Sequence, residues 1–233
     1  MTENSFIQDF MENMKHIQEE LLNYLENDEI PLNDYLKLIQ IINDKKNFEN
    51  KQEFKMVLYL ISSISNSHFR TKNFLSKVDQ LIKSLEPEIK KQFSNLTIFS
   101  IFKKNKRLIY FLLKEQIITI DTYLAKMLED SYFVNRKYKE YLLFNTDDTK
   151  KQIGENEKAL CEIIRNDSII DFITHINKTN IDISKTNIQA STYETNPFLS
   201  NKNKEISLIE YAAFYGSIQI FNYLRLNHIE LTP

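Results

Sequence analysis

The sequence predicts an all-α fold built from helical hairpins, and three observations support this prediction. Apolar residues recur at spacings of three and four along most of the chain, as on one face of a helix. The 233 residues include only two glycines and four prolines, whereas the turns of a large β fold favour glycine. Hydrophobic residues make up 42% of the chain, with 16 phenylalanines and 12 tyrosines, which is enough for a sizeable core.

Four amphipathic stretches occupy the first 87 residues, and each predicts a helix with one apolar face. The second begins after Pro31, which suits the first turn of a helix, and the fourth runs up to Pro87. The apolar positions are Phe6, Phe10, Met14, Ile17, Leu21 and Leu25; Leu32, Tyr35, Leu36, Ile39 and Ile42; Phe54, Val57, Leu58, Ile61 and Ile64; Phe74, Leu75, Val78, Leu81, Ile82 and Leu85.

Helical patterns continue to Phe144, so residues 1–144 are predicted to form a helical N-terminal domain. The charged segment 145–157 has no periodicity, contains Gly154 and is predicted to be a linker. Residues 158–233 follow as a C-terminal region. It is expected to contain two short helices, a long connector at 179–205 with a short extended piece, and a final hairpin that turns at Gly216.

Two of the predicted hairpins align with each other without gaps, so that Asn105 falls on Gly216. Asparagine tolerates the left-handed backbone that glycine adopts freely. Asn105 is therefore predicted to end a helix as Gly216 does, and Asn166 or Asp167 to do so in a middle unit. The separation, 216 − 105 = 111 residues, holds about three repeats of roughly 37 residues, which predicts a degenerate solenoid of helical hairpins with insertions. The alternative is that any two helical hairpins look alike.

The last hairpin, "SLIEYAAFYGSIQIFNYLRLNHIEL" (207–231), resembles the ankyrin repeat. Its first four residues stand where that family has Thr-Pro-Leu-His, although Glu210 replaces the histidine. Asn227-His228 replaces the terminal Ala-Gly, and the family's long hairpin loop is absent. The resemblance assigns structural repeat positions to Ala212, Ala213, Gly216, Ile220, Phe221 and Leu224. The N-terminal domain is then interpreted as degenerate ankyrin-like repeats.

Most of residues 50–233 resemble a narrower group, a large protist family of ankyrin-repeat proteins with a helical N-terminal domain of unknown function. The matching stretches begin with "SNSHFRTKNFLSKVDQLI" and end with "YETNPFLSNKNKEISLIEYAAFYGSIQIF". The resemblance implies a cytosolic α-helical interaction protein and supplies no catalytic residues. We therefore expect a non-enzymatic interaction module or scaffold that binds an unidentified protein partner.

Ankyrin-type proteins bind through the surface of the first helix and the loops, which here predicts partner contacts from Glu210, Phe214 and Tyr215. Two adjacent aromatic residues suit this role because aromatic side chains dominate interface hot spots. The alternative is that Phe214 and Tyr215 pack on the connector at 185–200.

A second hypothesis is an adaptor that binds phosphate or nucleic acid through the basic cluster at 103–107. Its cations are Lys103, Lys104, Lys106 and Arg107, with Lys90-Lys91 and Arg136-Lys137-Lys139 as additions. The net charge of −2 argues against nucleic acid as a general partner. A solvated turn between two apolar helices is the favoured interpretation of this cluster.

A third hypothesis concerns the end of the sequence. Thr232-Pro233 resembles the start of another ankyrin repeat, and a solenoid buries each repeat against the next. The chain would then be a structural N-terminal cap of a longer repeat array, with self-association through an uncapped C-terminal repeat.

The sequence contains no motif of a known catalytic, cofactor or metal site. The single Cys161 lies in an apolar helix pattern, as a buried inert thiol does, and the four histidines are scattered. We therefore expect no enzymatic activity, no cofactor and no metal. Without a secretion signal or an apolar stretch of membrane length, the expected location is the cytoplasm, with no membrane partner.

Overall fold

The structure is a computed structural model that describes residues 3–27, 32–43, 50–66, 73–129, 141–142, 147–200 and 205–231. Most of these residues are helical and none of them lies in a strand, which confirms the all-α prediction. One isolated antiparallel bridge joins Asn187 to Ser207. Asn187 lies in the connector, where the sequence predicts a short extended piece.

The chain divides into two compact units. Unit 1 comprises residues 1–104 and 111–129, and unit 2 comprises residues 105–110 and 130–233. Unit 2 thus begins before the C-terminal region predicted at residue 158. The predicted boundary at residue 144 falls outside the described residues.

Unit 1 is built from amphipathic helices whose apolar stripes face one another. α1 packs against α2, α3 and α4, and α3 also packs against α4 and α5. The bounds are α1 Glu3–Glu26, α2 Leu32–Asn43, α3 Lys51–Ser65, α4 Phe74–Gln92, α5 Asn95–Phe102, α6 Lys106–Lys114 and α7 Thr122–Glu129. The residues of α6 are divided between the units.

Side-chain caps set where two of these helices begin. The side chain of Asn50 accepts the backbone N–H of Gln52 at the start of α3. Ser94 accepts the N–H of Thr97 at the start of α5. Each cap satisfies one of the N–H groups that a first helical turn leaves without a partner.

The fourth helix does not stop at Pro87, as the sequence pattern suggests, but continues to Gln92. Pro87 lies on the exposed side of α4, where the carbonyl that loses its helical N–H partner faces solvent. Ile89 extends the buried stripe beyond the proline. Burial of this last apolar position outweighs the local cost of the proline.

Unit 2 contains two helical hairpins placed side by side. The first consists of α9 (Ala159–Arg165) and α10 (Ile169–Thr179), and the second of α11 (Leu208–Tyr215) and α12 (Ile218–Leu226). The first helices, α9 and α11, pack on each other, and so do the second helices, α10 and α12. Their buried side chains form one hydrophobic cluster that includes Phe172 and Leu224.

The turn inside each of these hairpins contains a residue in the left-handed conformation. These residues are Asp167, with φ of 49°, and Gly216, with φ of 64°, as the sequence predicts. Asn105 is different, because it is not among the residues with positive φ. Its side chain instead accepts the N–H of Leu108 at 3.0 Å and caps the start of α6. The predicted equivalence of Asn105 and Gly216 is therefore wrong at the level of backbone conformation.

Three helices, α6, α10 and α12, end with the same backbone motif. Each is followed by a left-handed residue, namely Gln116, Asn180 or His228. The next residue is an isoleucine that donates its N–H to the carbonyl five residues earlier: Ile117 to Leu112, Ile181 to Ile176 and Ile229 to Leu224, at 2.8, 3.0 and 3.1 Å. This bond is the long hydrogen bond of a Schellman motif.

The intervals between these isoleucines are 181 − 117 = 64 and 229 − 181 = 48 residues. Neither interval equals the period of roughly 37 residues expected for regular repeats. The first interval also contains α7 and the helix Asp148–Ile153, and the second contains the connector.

The described part of the predicted linker is an ordered piece of unit 2. It contains α8 (Asp148–Ile153), whose start is capped by the Asp147 side chain. Gly154 ends this helix in the left-handed conformation, and Asn156 is almost fully buried. A six-residue helix is too short to show a helical period in the sequence.

Candidate functional site

The three predicted contact residues lie on α11 but in different surroundings. Glu210 is 8% exposed and forms a capping box with Ser207. Its carboxylate accepts the Ser207 N–H at 2.9 Å while the Ser207 hydroxyl accepts the Glu210 N–H. Glu210 therefore caps the start of α11.

Phe214 and Tyr215 belong to a row of aromatic rings. Phe214 stacks on Phe198 of the connector, with ring centroids 5.6 Å apart and an angle of 5° between the planes. Tyr215 contacts Phe214 edge-on at 5.1 Å and Tyr211 at 4.8 Å. The alternative that this pair packs on the connector thus describes the contact of Phe214.

The row runs from the protein surface to the interior. Phe198 is 45% exposed, Phe214 and Tyr215 are half-buried, and Tyr211 is fully buried. Its outer end is therefore a stacked pair of phenylalanines, one from a loop and one from a helix, that remains accessible. A rigid stack of this kind is suited to recognition because little side-chain entropy is lost on binding.

Arg165 of α9 supports the inner end of the row. Its Nη1 donates to the Tyr211 hydroxyl at 3.0 Å and to the Asn156 carbonyl oxygen at 2.8 Å. Its Nε lies 2.9 Å from a carboxylate oxygen of Glu155, and its guanidinium covers the Tyr215 ring at 5.9 Å. One arginine thus joins α9, α11 and the segment before α9.

The connector residues 188–200, called here the 188–200 segment, are tied to the same place. The Ile188 N–H donates to the Ile206 carbonyl at 2.7 Å, which draws the two sides of the connector together. The Thr195 N–H donates to the Gly154 carbonyl at 3.0 Å, and the Asn156 side chain donates to the Gln189 carbonyl at 2.8 Å. The position of Phe198 is therefore set by backbone and side-chain hydrogen bonds.

Glu194 is the innermost charged group of this segment, with 3% of its surface exposed. Its two oxygens accept the backbone N–H groups of Asn156 at 3.3 Å and Asn196 at 2.9 Å. Burial raises the pKa of Glu194 to about 7, and burial also raises the pKa of the neighbouring Glu155.

The predicted structural positions of the last hairpin are largely internal. Ala212, Ile220 and Leu224 are buried, Phe221 is half-buried, and Ala213 is exposed. The adjacent Ser217 donates its hydroxyl to the Ile164 carbonyl of the first hairpin at 2.5 Å. These contacts hold the two hairpins of unit 2 together.

The basic cluster does not form one surface patch. Lys103 and Lys104 are exposed, but Arg107 is buried and its Nε donates to the Gln152 carbonyl at 2.6 Å. Lys90 and Lys91 pair with Glu86 and Glu88 on their own helix. The third predicted group, Arg136-Lys137-Lys139, lies outside the described residues.

The single cysteine, Cys161, is buried in α9. Burial raises the pKa of the Cys161 thiol to about 11, which opposes formation of a thiolate. No group of three or more residues able to hold a metal ion occurs in this part of the chain. Nor does any helix there have the length and apolar character required to cross a membrane.

Sequence reasoning missed Phe198, Arg165, Glu155 and Glu194. Only Phe198 had a signal, since it lies in the connector that was proposed to cover the aromatic pair. The three charged residues belong to no motif and meet only through folding.

Comparison with protein-family models, with curated proteins and with solved structures finds no match to this chain.

Proposed function

We propose that unit 2 is a non-enzymatic protein-interaction module of the ankyrin type. The observation that carries the proposal is the stacked Phe198–Phe214 pair at its surface, joining the connector to α11. Aromatic anchors on a rigid scaffold provide most of the binding energy in many interfaces. Loops placed on such a scaffold are also where binding residues concentrate.

The packing of the two hairpins supports an ankyrin-type interpretation. First helices contact first helices and second helices contact second helices, as in a stacked array of repeats. The connector precedes α11, which is where the ankyrin repeat carries its binding loop. In this proposal the 188–200 segment takes the place of that loop, and α10 and α12 form the opposite face.

The test compares binding by the wild-type chain with binding by Phe198→Ser and Phe214→Ser variants. Partners captured from native cytosol are identified by mass spectrometry, and the affinity of each recovered partner is then measured with purified components. Ile170→Ser is the matched control, because Ile170 is 76% exposed on the second-helix side. Circular dichroism verifies that every variant is folded.

We expect a partner that binds wild type and Ile170→Ser, and that binds the two phenylalanine variants at least tenfold more weakly, about 1.4 kcal/mol. Equal binding by all four proteins would contradict the proposed surface. Binding lost only in Ile170→Ser would move the interface to the second helices.

Self-association is the alternative that a specific observation favours. Leu226 of α12 is 80% exposed, and a groove next to it is lined by Phe221, Ile229 and Leu231. Light scattering over a hundredfold range of concentration tests this. A dimer that Leu226→Glu dissociates would support a cap or self-associating role, whereas a monomer throughout would exclude it.

In the phosphate-binding hypothesis, only the exposed lysines of the basic cluster remain as candidate contacts. This hypothesis predicts binding that weakens steeply with salt.

A further inference from the structure

The 188–200 segment places a carboxylate where it has almost no access to water. Glu194 is 3% exposed, and its oxygens receive one backbone N–H each, from Asn156 and Asn196. A buried carboxylate needs a compensating charge, because removing an ion from water is costly. Those two neutral N–H groups are partial compensation only.

The nearest compensating charge is already engaged. Arg165 is held by Glu155, with Nε 2.9 Å from its carboxylate oxygen. Glu155 and Glu194 both act on Arg165, and they also repel each other. The buried carboxylate of Glu194 and the half-buried carboxylate of Glu155 thus share one guanidinium, although Arg107 also attracts Glu155.

Among the described residues, the other titratable groups that interact with Glu194 are uncharged near neutral pH. They come from the elements packed against the segment and are Cys161 on α9, Tyr211 and Tyr215 on α11, and Tyr141. The cation of Lys150 lies over the ring of the adjacent Tyr193, 5.6 Å from its centroid. Cys161 and the three tyrosines are neutral near pH 7 because burial raises the pKa of each. Ionised Glu194 therefore faces an environment that favours its protonated form.

We propose that the 188–200 segment is a proton-sensitive clasp, docked on α9 and α11 while Glu194 is protonated and released when Glu194 ionises. Release would carry Phe198 away from Phe214 and so change the accessible surface. The clasp is a property of the free protein and does not depend on the identity of any partner.

The direction of the pH effect follows from linkage. The pKa of Glu194 is raised in the docked state from an ordinary 4.5 to about 7. The protonated carboxyl therefore stabilises the docked state fully below about pH 4.5. This stabilisation declines between about pH 4.5 and pH 7 and is constant above pH 7. Over this window the opening equilibrium should increase by about 100-fold or more, or tenfold per pH unit.

Hydrogen exchange of the full chain, read by mass spectrometry on peptides covering 188–200, tests the clasp between pH 5 and pH 8. Rates are corrected for the intrinsic dependence of exchange on pH. The variants are Glu194→Gln and Glu155→Gln, with Glu162→Gln as the control because Glu162 is exposed on α9.

In wild type and in Glu162→Gln, we expect protection of the segment to fall by about 100-fold across this range. Glu194→Gln should remove the pH dependence, and Glu155→Gln should reduce it, since the Glu155 charge helps to raise the pKa of Glu194. A wild-type change below about threefold, or an equal change in Glu194→Gln, would overturn the clasp.

If Glu194→Gln does not fold, carbon NMR of the glutamate carboxyl groups in wild type provides an independent test. A carboxyl that titrates near pH 7, and is assigned to Glu194 by its coupling to the segment's amides, would support the clasp. Titration of every glutamate below pH 5.5 would overturn it.

Discussion

Unit 1 buries a lysine against the end of a helix, whereas unit 2 buries carboxylates and arginines that join segments distant in sequence. In unit 1 the Lys77 Nζ donates to the Tyr24 carbonyl at 2.9 Å and to the Asn27 carbonyl, at the C-terminal end of α1. In unit 2 the Arg165–Tyr211 and Asn156–Glu194 hydrogen bonds span 46 and 38 residues.

The difference shows two uses of buried polar groups. Lys77 satisfies carbonyls that any helix leaves open at its last turn, and its positive charge suits that end of the helix dipole. The unit 2 network holds a loop and two hairpins in one arrangement, which an apolar contact would specify less strictly. Four substitutions distinguish these two uses, and Arg165→Met has the largest expected effect.

Arg165→Met should destabilise unit 2 by about 3 kcal/mol, because it leaves the buried Glu194 and the half-buried Glu155 without their common partner. Hydrogen exchange of α9 and α11 peptides measures the loss, and α1 and α4 peptides serve as the internal reference. Arg165→Lys, which keeps the charge but not the planar group, should lose less. A loss below about 1 kcal/mol for Arg165→Met would mean that the network adds little to stability.

Gly154→Ala should destabilise unit 2 by about 2 kcal/mol. Gly154 has φ of +70°, and an added Cβ would lie 2.9 Å from Arg107 Cγ and 3.0 Å from Thr195 Oγ1. Urea unfolding measures the change, with Ile153→Ala as an exposed neighbour for control. If both variants unfold at the same urea concentration, the turn at Gly154 and the 188–200 segment are packed loosely enough to accept the added methyl group.

Lys77→Met should destabilise unit 1 by about 2 kcal/mol, because carbonyls at the end of α1 lose their donor. Exchange of the last-turn amides of α1 and of the α4 amides should quicken, while α9 and α11 amides keep their rates. Lys126→Met, at an exposed position of α7, is the control. Equal exchange in the two variants would show that water replaces the ammonium group at no cost.

Asp167→Ala should have the smallest effect, about 1 kcal/mol. The Asp167 carboxylate accepts the N–H groups of Gln219 and Ile220, both at 3.0 Å, and so caps α12 from the neighbouring hairpin. Asp167→Asn should retain most of the stability because asparagine keeps one acceptor and tolerates the left-handed backbone. Amide exchange at 219–221 distinguishes the two. Identical exchange would mean that the cap contributes nothing to the packing of the hairpins.

Local patterns in the sequence were sufficient for most helices. The stripe through Ile17, Leu21 and Leu25 predicts a buried helical face, and these residues are buried in α1. The sequence predicts left-handed turn residues at Gly216 and at Asn166 or Asp167, because few residue types adopt positive φ, and the structure has them at Gly216 and Asp167. The same rule failed at Asn105, since asparagine also suits an N-cap and the sequence does not distinguish the two roles.

The candidate site was predictable only in part. Phe214 and Tyr215 were selected from their place on a first helix, but the ring that completes the surface, Phe198, comes from a connector without periodicity. Glu210, the third predicted contact residue, is part of a capping box. The Ser-x-x-Glu spacing that predicts such a box is present in the sequence at 207–210.

By itself, then, the sequence determined the helical class, the apolar faces and the turn at Gly216, because each depends on residues within one or two turns of one another. Tertiary structure alone decided that Arg165 would meet Glu155 and Tyr211, that Glu194 would be buried, and that the predicted linker would be part of a unit. The reason is physical: a charged side chain acquires its pKa and its partners from the surroundings that folding brings to it, and no spacing along the chain encodes them.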